Sequence, residues 1–263
     1  MTVIPGIGGP LRDDPSLYFI DNIKDSGLAS GLQLCTDYAD GRCYTSSETM
    51  TDLSGLANSV INGQTTGSTV GDLTFNGVVN RGSKNDFFAS TAASQGMMVN
   101  TSPVFLTDSH KASALFTMAG WFWLEGTDPT VRVIWSDYNV GNVATRGMAL
   151  FVQSGGLHFQ SDNVYHISTP LTVVLYNQWA FFATAIDNPG ASGTVQFNAF
   201  QQAGTPGMSG TAAPTAKMSI GMNSAKAFSL GTGSKHAGVF GWNRRLSAGE
   251  LMTLYNETKD RFA

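Results

Sequence analysis

Few residues in this chain of 263 are equipped for bond chemistry, and those few are badly spaced for it. Glutamate occurs only as Glu48, Glu125, Glu250 and Glu257. Retaining glycoside hydrolysis needs two carboxyl groups about 5 Å apart. Glu250 and Glu257 fall in a C-terminal helix pattern, Glu48 in a polar loop and Glu125 at a strand end in Glu-Gly-Thr-Asp, so no such pair is written in the sequence. The histidines His110, His158, His166 and His236 lack His-x-His or His-Glu-x-x-His spacing, and two cysteines make no zinc knuckle. The expectation is a protein that is not an enzyme and has no resident cofactor.

Two kinds of non-covalent chemistry remain. Calcium takes six to eight oxygen ligands from loops, and Asp137, Asp162 and Asp187 lie in turn-rich segments that could offer them. Asp137 and Asp187 are the stronger metal candidates, although each residue is also an ordinary turn former. Sugar recognition uses an aromatic platform beside polar amides, and Trp135, Tyr138, Tyr165 and Tyr176 stand next to predicted loops where one could form. Trp121, Trp123 and Trp179 fall mid-strand and are assigned to packing. Cys35 and Cys43 flank an Asp40-Gly41 turn signal, so they could bridge a short loop or remain reduced thiols.

The elements that must position these groups are strands. Charged residues are 13% of the chain against roughly 25% in an average soluble domain, leaving Ser, Thr, Asn, Gln and Gly to face water. With 15 basic and 19 acidic residues the net charge is −4, and no basic run tracks a phosphate backbone, so nucleic acid is not an expected partner. No apolar stretch of about 18 residues offers a membrane span. Residues 1–15, rich in Pro and Gly, read as an extended arm with no secretion signal, including Gly6–Gly9, which lacks the strand and helix of a phosphate loop. Residues 16–263 read as one domain.

From Leu115 onward, short apolar or alternating runs are broken by Gly, Asn, Asp and Pro, which predicts an all-β fold. The strands expected are 115–124, 131–136, 147–153, 157–160, 178–186, 194–200, 217–222 and 237–242. In the first of these Phe116, Met118 and Phe122 share one side while Ala119, Trp121 and Trp123 share the other, so it should be central and covered on both faces. Ser154-Gly155-Gly156 and Asn188-Pro189-Gly190 predict hairpin turns, and 203–215 a loop. Residues 26–102 read as loops and short edge strands. One segment reads as helix: Ser247-Ala248-Gly249-Glu250 is a capping box, followed by Leu251, Leu254 and Tyr255 at helical spacing, with an end near 256–259.

Asn243, Arg245, Leu246, Ser247, Glu250, Leu254 and Tyr255 occur in the order found where the closing strand and helix of laminin G-like, concanavalin A-like jelly rolls meet. The chain resembles that family from about Leu115 to Phe262. Upstream, Asp37, Tyr44 and Asp52–Gly55 are similar to the opening of such domains in tailed-bacteriophage virion proteins, with Cys43 where serine is common, and residues 255–262 resemble their ending. The resemblance implies an all-β jelly-roll β-sandwich with a short C-terminal helix. It also implies a virion structural protein made in the host cytoplasm, a head decoration or fibre or a tail-associated component, partnered by capsid or tail proteins and by copies of itself. The alternative is an adhesion module for host-surface glycans. The Glu-x-Asp-x-x-Glu strand of the family's glucanases is missing.

Overall fold

A computed structural model describes residues 18–262 apart from 46–47, 66–67, 70, 77–85, 127–129, 139–146, 162–163, 171–173, 215 and 224–227. The arm expected at 1–15 lies outside the described residues, as does Asp162.

Two antiparallel sheets face each other. The first runs β16 (Phe200–Gly204), β15 (Ser192–Phe197), β14 (Trp179–Asp187), β9 (Leu115–Trp123), β18 (Lys235–Trp242), β7 (Phe87–Ala89) and β6 (Thr74–Asn76), with β1 (Leu32–Cys35) also paired to β18. The second runs β13 (Val164–Ser168), β12 (Gly156–Ser161), β11 (Met148–Gln153), β10 (Arg132–Ser136), β17 (Ser219–Ile220), β8 (Met97–Val99), β3 (Val60–Asn62) and β2 (Thr49–Met50). A separate ribbon pairs β4 (Gln64–Thr65) with β5 (Ser68–Thr69).

Between the sheets lies one apolar core. Phe116, Met118 and Phe122 of β9 meet Trp135, Leu150 and Phe159 of the second sheet. The other side of β9 carries Ala119 and Trp121 into a second cluster with Phe181, Phe240 and Trp242, and this cluster is roofed by two helices. Helix α1 (Phe19–Asp25) contributes Phe19, Ile20 and Ile23; α3 (Ala248–Thr258) contributes Leu251 and Leu254. The doubly apolar pattern of this strand therefore has its stated cause: β9 sits mid-sheet between β14 and β18, with core on one face and helices on the other. One short turn, α2 (Val104–Thr107), completes the helices of the described residues.

The helix start follows the residues that encode it. Ser247 Oγ accepts from the Glu250 amide at 3.2 Å, and the Glu250 carboxylate accepts from the Ser247 amide at 2.8 Å. A 3-10 turn, Lys259–Phe262, then carries Arg261 inward. Its guanidinium pairs with the Asp37 carboxylate, both side chains at 1% exposure or less, and donates at 2.9 Å to the Asp86 carbonyl. Asp37 also accepts from the Phe19 amide at 2.9 Å and the Ala39 amide at 3.1 Å. Burial raises the Asp37 carboxyl above its ordinary range, against the opposing pull of Arg261.

Several expectations are corrected. Two helical segments, α1 and α2, join the one foreseen; α1 has seven residues and no side-chain cap, so its stability comes from packing that a period cannot reveal. β7 and β8 are short but lie inside their sheets, although 26–102 suggested only edges. Residues 194–200 are not one strand: Asn198, at φ 49°, turns β15 back into β16, so residues 203 and 204 are strand and not loop. The segment 217–222 keeps only Ser219–Ile220 as strand. Cys35 and Cys43 are both buried free thiols, with burial raising each thiol pKa.

Candidate functional site

No helix among the described residues lies over the second sheet as α1 and α3 lie over the first. Its outer face instead carries a small apolar cluster under partly exposed aromatic rings. Strand alternation puts Val133 of β10, Ala149 and Phe151 of β11, and His158 and Gln160 of β12 on that face; cross-strand pairing sets Phe151 opposite both Val133 and His158, and Ala149 opposite Gln160. Tyr165 of β13 stands opposite Gln160. The Phe151 and His158 rings stack at 5.3 Å and 28°, and Tyr165 meets Phe151 edge-on at 5.6 Å. Geometry of this kind favours aromatic pairs because ring edges and faces carry opposite partial charge.

The cluster floors a concavity of about 280 Å³ walled by Tyr138, Tyr165 and Phe228 with Ser136, Gln160 and Asn223 as polar members. Tyr165 is 53% exposed and Phe228 43%, whereas Val133, Ala149 and Phe151 are buried beneath them. Rigid hydrogen bonds set the rim. Ser136 Oγ donates to the Met148 carbonyl at 3.1 Å and accepts from the Tyr138 amide at 2.9 Å. His158 Nδ1 meets Ser168 Oγ at 2.8 Å, and partial burial lowers the pKa of its ring, keeping it neutral at pH 7. The Tyr165 hydroxyl reaches Gln153 Oε1 at 3.3 Å. The Gln160 amide makes no hydrogen bond within the described residues.

Of the four aromatic candidates, the structure brings Tyr138 and Tyr165 together on this face. Trp135 is corrected. A bulge in β10 between Val133 and Trp135 inserts one residue, so Ile134 and Trp135 both turn into the core and Ser136 takes the outward place that simple alternation gives Trp135. Trp135 is fully buried. Tyr176 is corrected too: half-buried, it packs against the inner core with the Arg132 guanidinium 5.7 Å from its ring centroid, away from Tyr138 and Tyr165. Phe228 was missed; a single Phe in a polar, Gly-rich run gives no period to place it.

The two carboxylates proposed for calcium do not meet. Asp137, following β10, is buried and accepts from Ser109 Oγ at 2.8 Å and from the Met148 amide. Burial pushes its carboxyl up to about 7, against those hydrogen bonds. A buried carboxyl that retains protons up to neutral pH and already accepts two hydrogen bonds is a poor ligand for a hard cation. Asp187 ends β14 in the other sheet and accepts from the Gly190 amide at 2.8 Å, holding its own turn. Among the described residues no group of three or more His, Cys, Asp or Glu side chains gathers in metal-binding range.

The two-sheet β-sandwich is a fold shared with solved structures. The binding domain of botulinum neurotoxin serotype D superposes with a TM-score of 0.61 at 11% identity, covering 87% of this chain and 52% of that one. The receptor binding domain of the C/D mosaic serotype gives 0.59 at 12%, covering 87% and 51%. A sialidase of Trypanosoma rangeli in complex with sialic acid gives 0.59 at 11%, covering 86% of this chain and 33% of the enzyme. The chain thus spans about half the length of the neurotoxin domains and a third of the sialidase. No family model matches the sequence, and no curated protein does.

Proposed function

We propose that the chain is a carbohydrate-binding adhesion module that acts without bond chemistry, and that the outer face of β10–β13 is its ligand platform. The observation that carries this reading is the exposed Tyr165 and Phe228 over a floor of Phe151, Ala149 and Val133, with an unspent Gln160 amide beside them. A sugar ring offers one apolar C–H face and a rim of hydroxyls, and an aromatic platform with an adjacent amide satisfies both. The likeness to receptor binding domains supports the same reading. A glycan array probed with the wild-type chain and with Tyr165→Ala tests it: defined glycans should bind the first and bind the second about tenfold less, a loss of roughly 1.4 kcal/mol. Absence of binding at millimolar sugar contradicts it.

A second reading, a bacteriophage virion component displaying this face outward, rests on the resemblance carried by the segments around Asp37 and residues 255–262. The two segments that carry the virion resemblance meet in the fold, since Asp37 and Arg261 form its buried ion pair. In that setting the partners are capsid or tail proteins and other copies of the chain. Mass spectrometry of purified particles should then find its peptides; a strictly monomeric chain absent from particles contradicts this.

A further inference from the structure

The outer side of the first sheet is roofed by α1 and α3, and α3 passes at its end into the 3-10 turn Lys259–Phe262. There a second concavity of about 280 Å³ opens, lined by Trp179, Tyr255, Phe262, Gln178, Asn198 and Asp260, with Trp121 beneath. The helix is seated chiefly by groups deeper than these. Leu251 and Leu254 are fully buried, and the Trp121 indole donates to Thr258 Oγ1 at 2.9 Å, which together fix the helix on the sheet.

Outside that seal the composition changes. Trp179, Tyr255 and Phe262 are each half-buried. The Phe262 ring lies 4.6 Å from Trp179 and 4.5 Å from Trp121, and Trp121 stacks on Tyr255 at 6.0 Å, so four rings form one continuous floor. Polar groups with spare capacity stand around it. The Gln178 amide and the Asp260 carboxylate make no hydrogen bond within the described residues. Asn198 accepts from the Phe181 amide at 2.8 Å through Oδ1, which leaves its Nδ2 donors free. Lys259 donates to Asn256 Oδ1 at 2.8 Å, so its charge is tethered while it offsets that of Asp260.

One carboxylate acceptor, two amides and an aromatic floor answer the needs of a neutral pyranose: vicinal hydroxyls that give and accept hydrogen bonds, and a C–H face that lies on π-electrons. The volume is just under the range of about 300–1,000 Å³ typical of drug-sized ligands, which suits one or two sugar rings. Lys259 and Asp260 both line the concavity and leave it without net charge, which favours an uncharged ligand. We propose that the exit of α3 is a second saccharide site, selective for a neutral sugar. The two sites lie on the outer faces of different sheets, so a single chain is bivalent.

The test titrates lactose, cellotriose, maltotriose and chitobiose into the full chain, read by saturation-transfer NMR and tryptophan fluorescence, in wild type, Tyr165→Ala and the double variant Gln178→Ala/Asp260→Ala. Gln178 is half-buried and Asp260 exposed, so the double variant should keep the wild-type melting temperature. With at least one of the sugars, Tyr165→Ala should retain saturable binding that perturbs tryptophan fluorescence, and the double variant should lose that component tenfold or more. A Tyr165→Ala chain that binds none of the four, or a double variant with wild-type affinity for each, overturns the proposal. Equal affinity of wild type and Tyr165→Ala for every sugar contradicts the first platform and leaves this site standing.

Discussion

Asp137 illustrates how a single residue changes role with its surroundings. In sequence it is a loop carboxylate; in the fold it is a buried hydrogen-bond hub between Ser109 and Met148. Gly147, at φ 75°, belongs to that hub, because a Cβ there would strike the Asp137 carboxylate and carbonyl. An unfolded aspartate titrates near about 3.9, and the folded carboxyl is pushed up to about 7. Between those values the folded state holds a proton the unfolded state has lost. The stability this group contributes is therefore full below about pH 4 and is lost as pH rises to about 7. Urea unfolding of wild type and Asp137→Asn across that window should show wild type losing stability relative to the variant as pH rises; parallel profiles would contradict the assignment. At this scale the sequence was half legible. Tyr138 and Tyr165 could be placed near loops from the turn residues beside them, but the inward turn of Trp135 depends on a bulge, which no alternation rule announces.

At the scale of elements, α3 is the part the sequence describes best, because the signal for its start is local. Ser247 and Glu250 are three residues apart and cap each other. Replacing Ser247 with Ala should cost about 1 kcal/mol in chemical denaturation. The anchor of its exit is illegible for the opposite reason: Asp37 and Arg261 are 224 residues apart, and nothing along the chain links them. Removing one partner of a buried pair leaves the other charged and unpaired, which costs roughly 3–5 kcal/mol. Arg261→Ala should therefore destabilise the chain several times more than Ser247→Ala, and equal effects would show that the pair does not fasten the terminal turn. The same logic explains α1, which packs Phe19 under the Arg261 guanidinium at 4.4 Å and has no local signal of its own.

On the scale of the whole molecule, the two sheets differ in what covers them. Helices roof the first sheet and bury Trp121, Phe240 and Trp242, while the second presents Tyr165 and Phe228 to water. Alternation and turn residues were enough to foresee the sandwich from Leu115 onward, because long strands repeat their pattern; the short strands between 49 and 99 repeat too few times to do so. Asp137 and Asp187, the two carboxylates foreseen as metal ligands, are both engaged by their own backbone neighbourhoods. The melting temperature should be the same in calcium and in chelator, and a rise of several degrees with calcium would show a site elsewhere. The most direct test of the account is a titration of an array-positive glycan into wild type, Tyr165→Ala and Phe228→Ala, with melting temperatures measured alongside. We predict about tenfold weaker binding for each variant at unchanged melting temperature. Wild-type affinity in both variants would contradict the claim that the outer face of β10–β13 is where this protein binds.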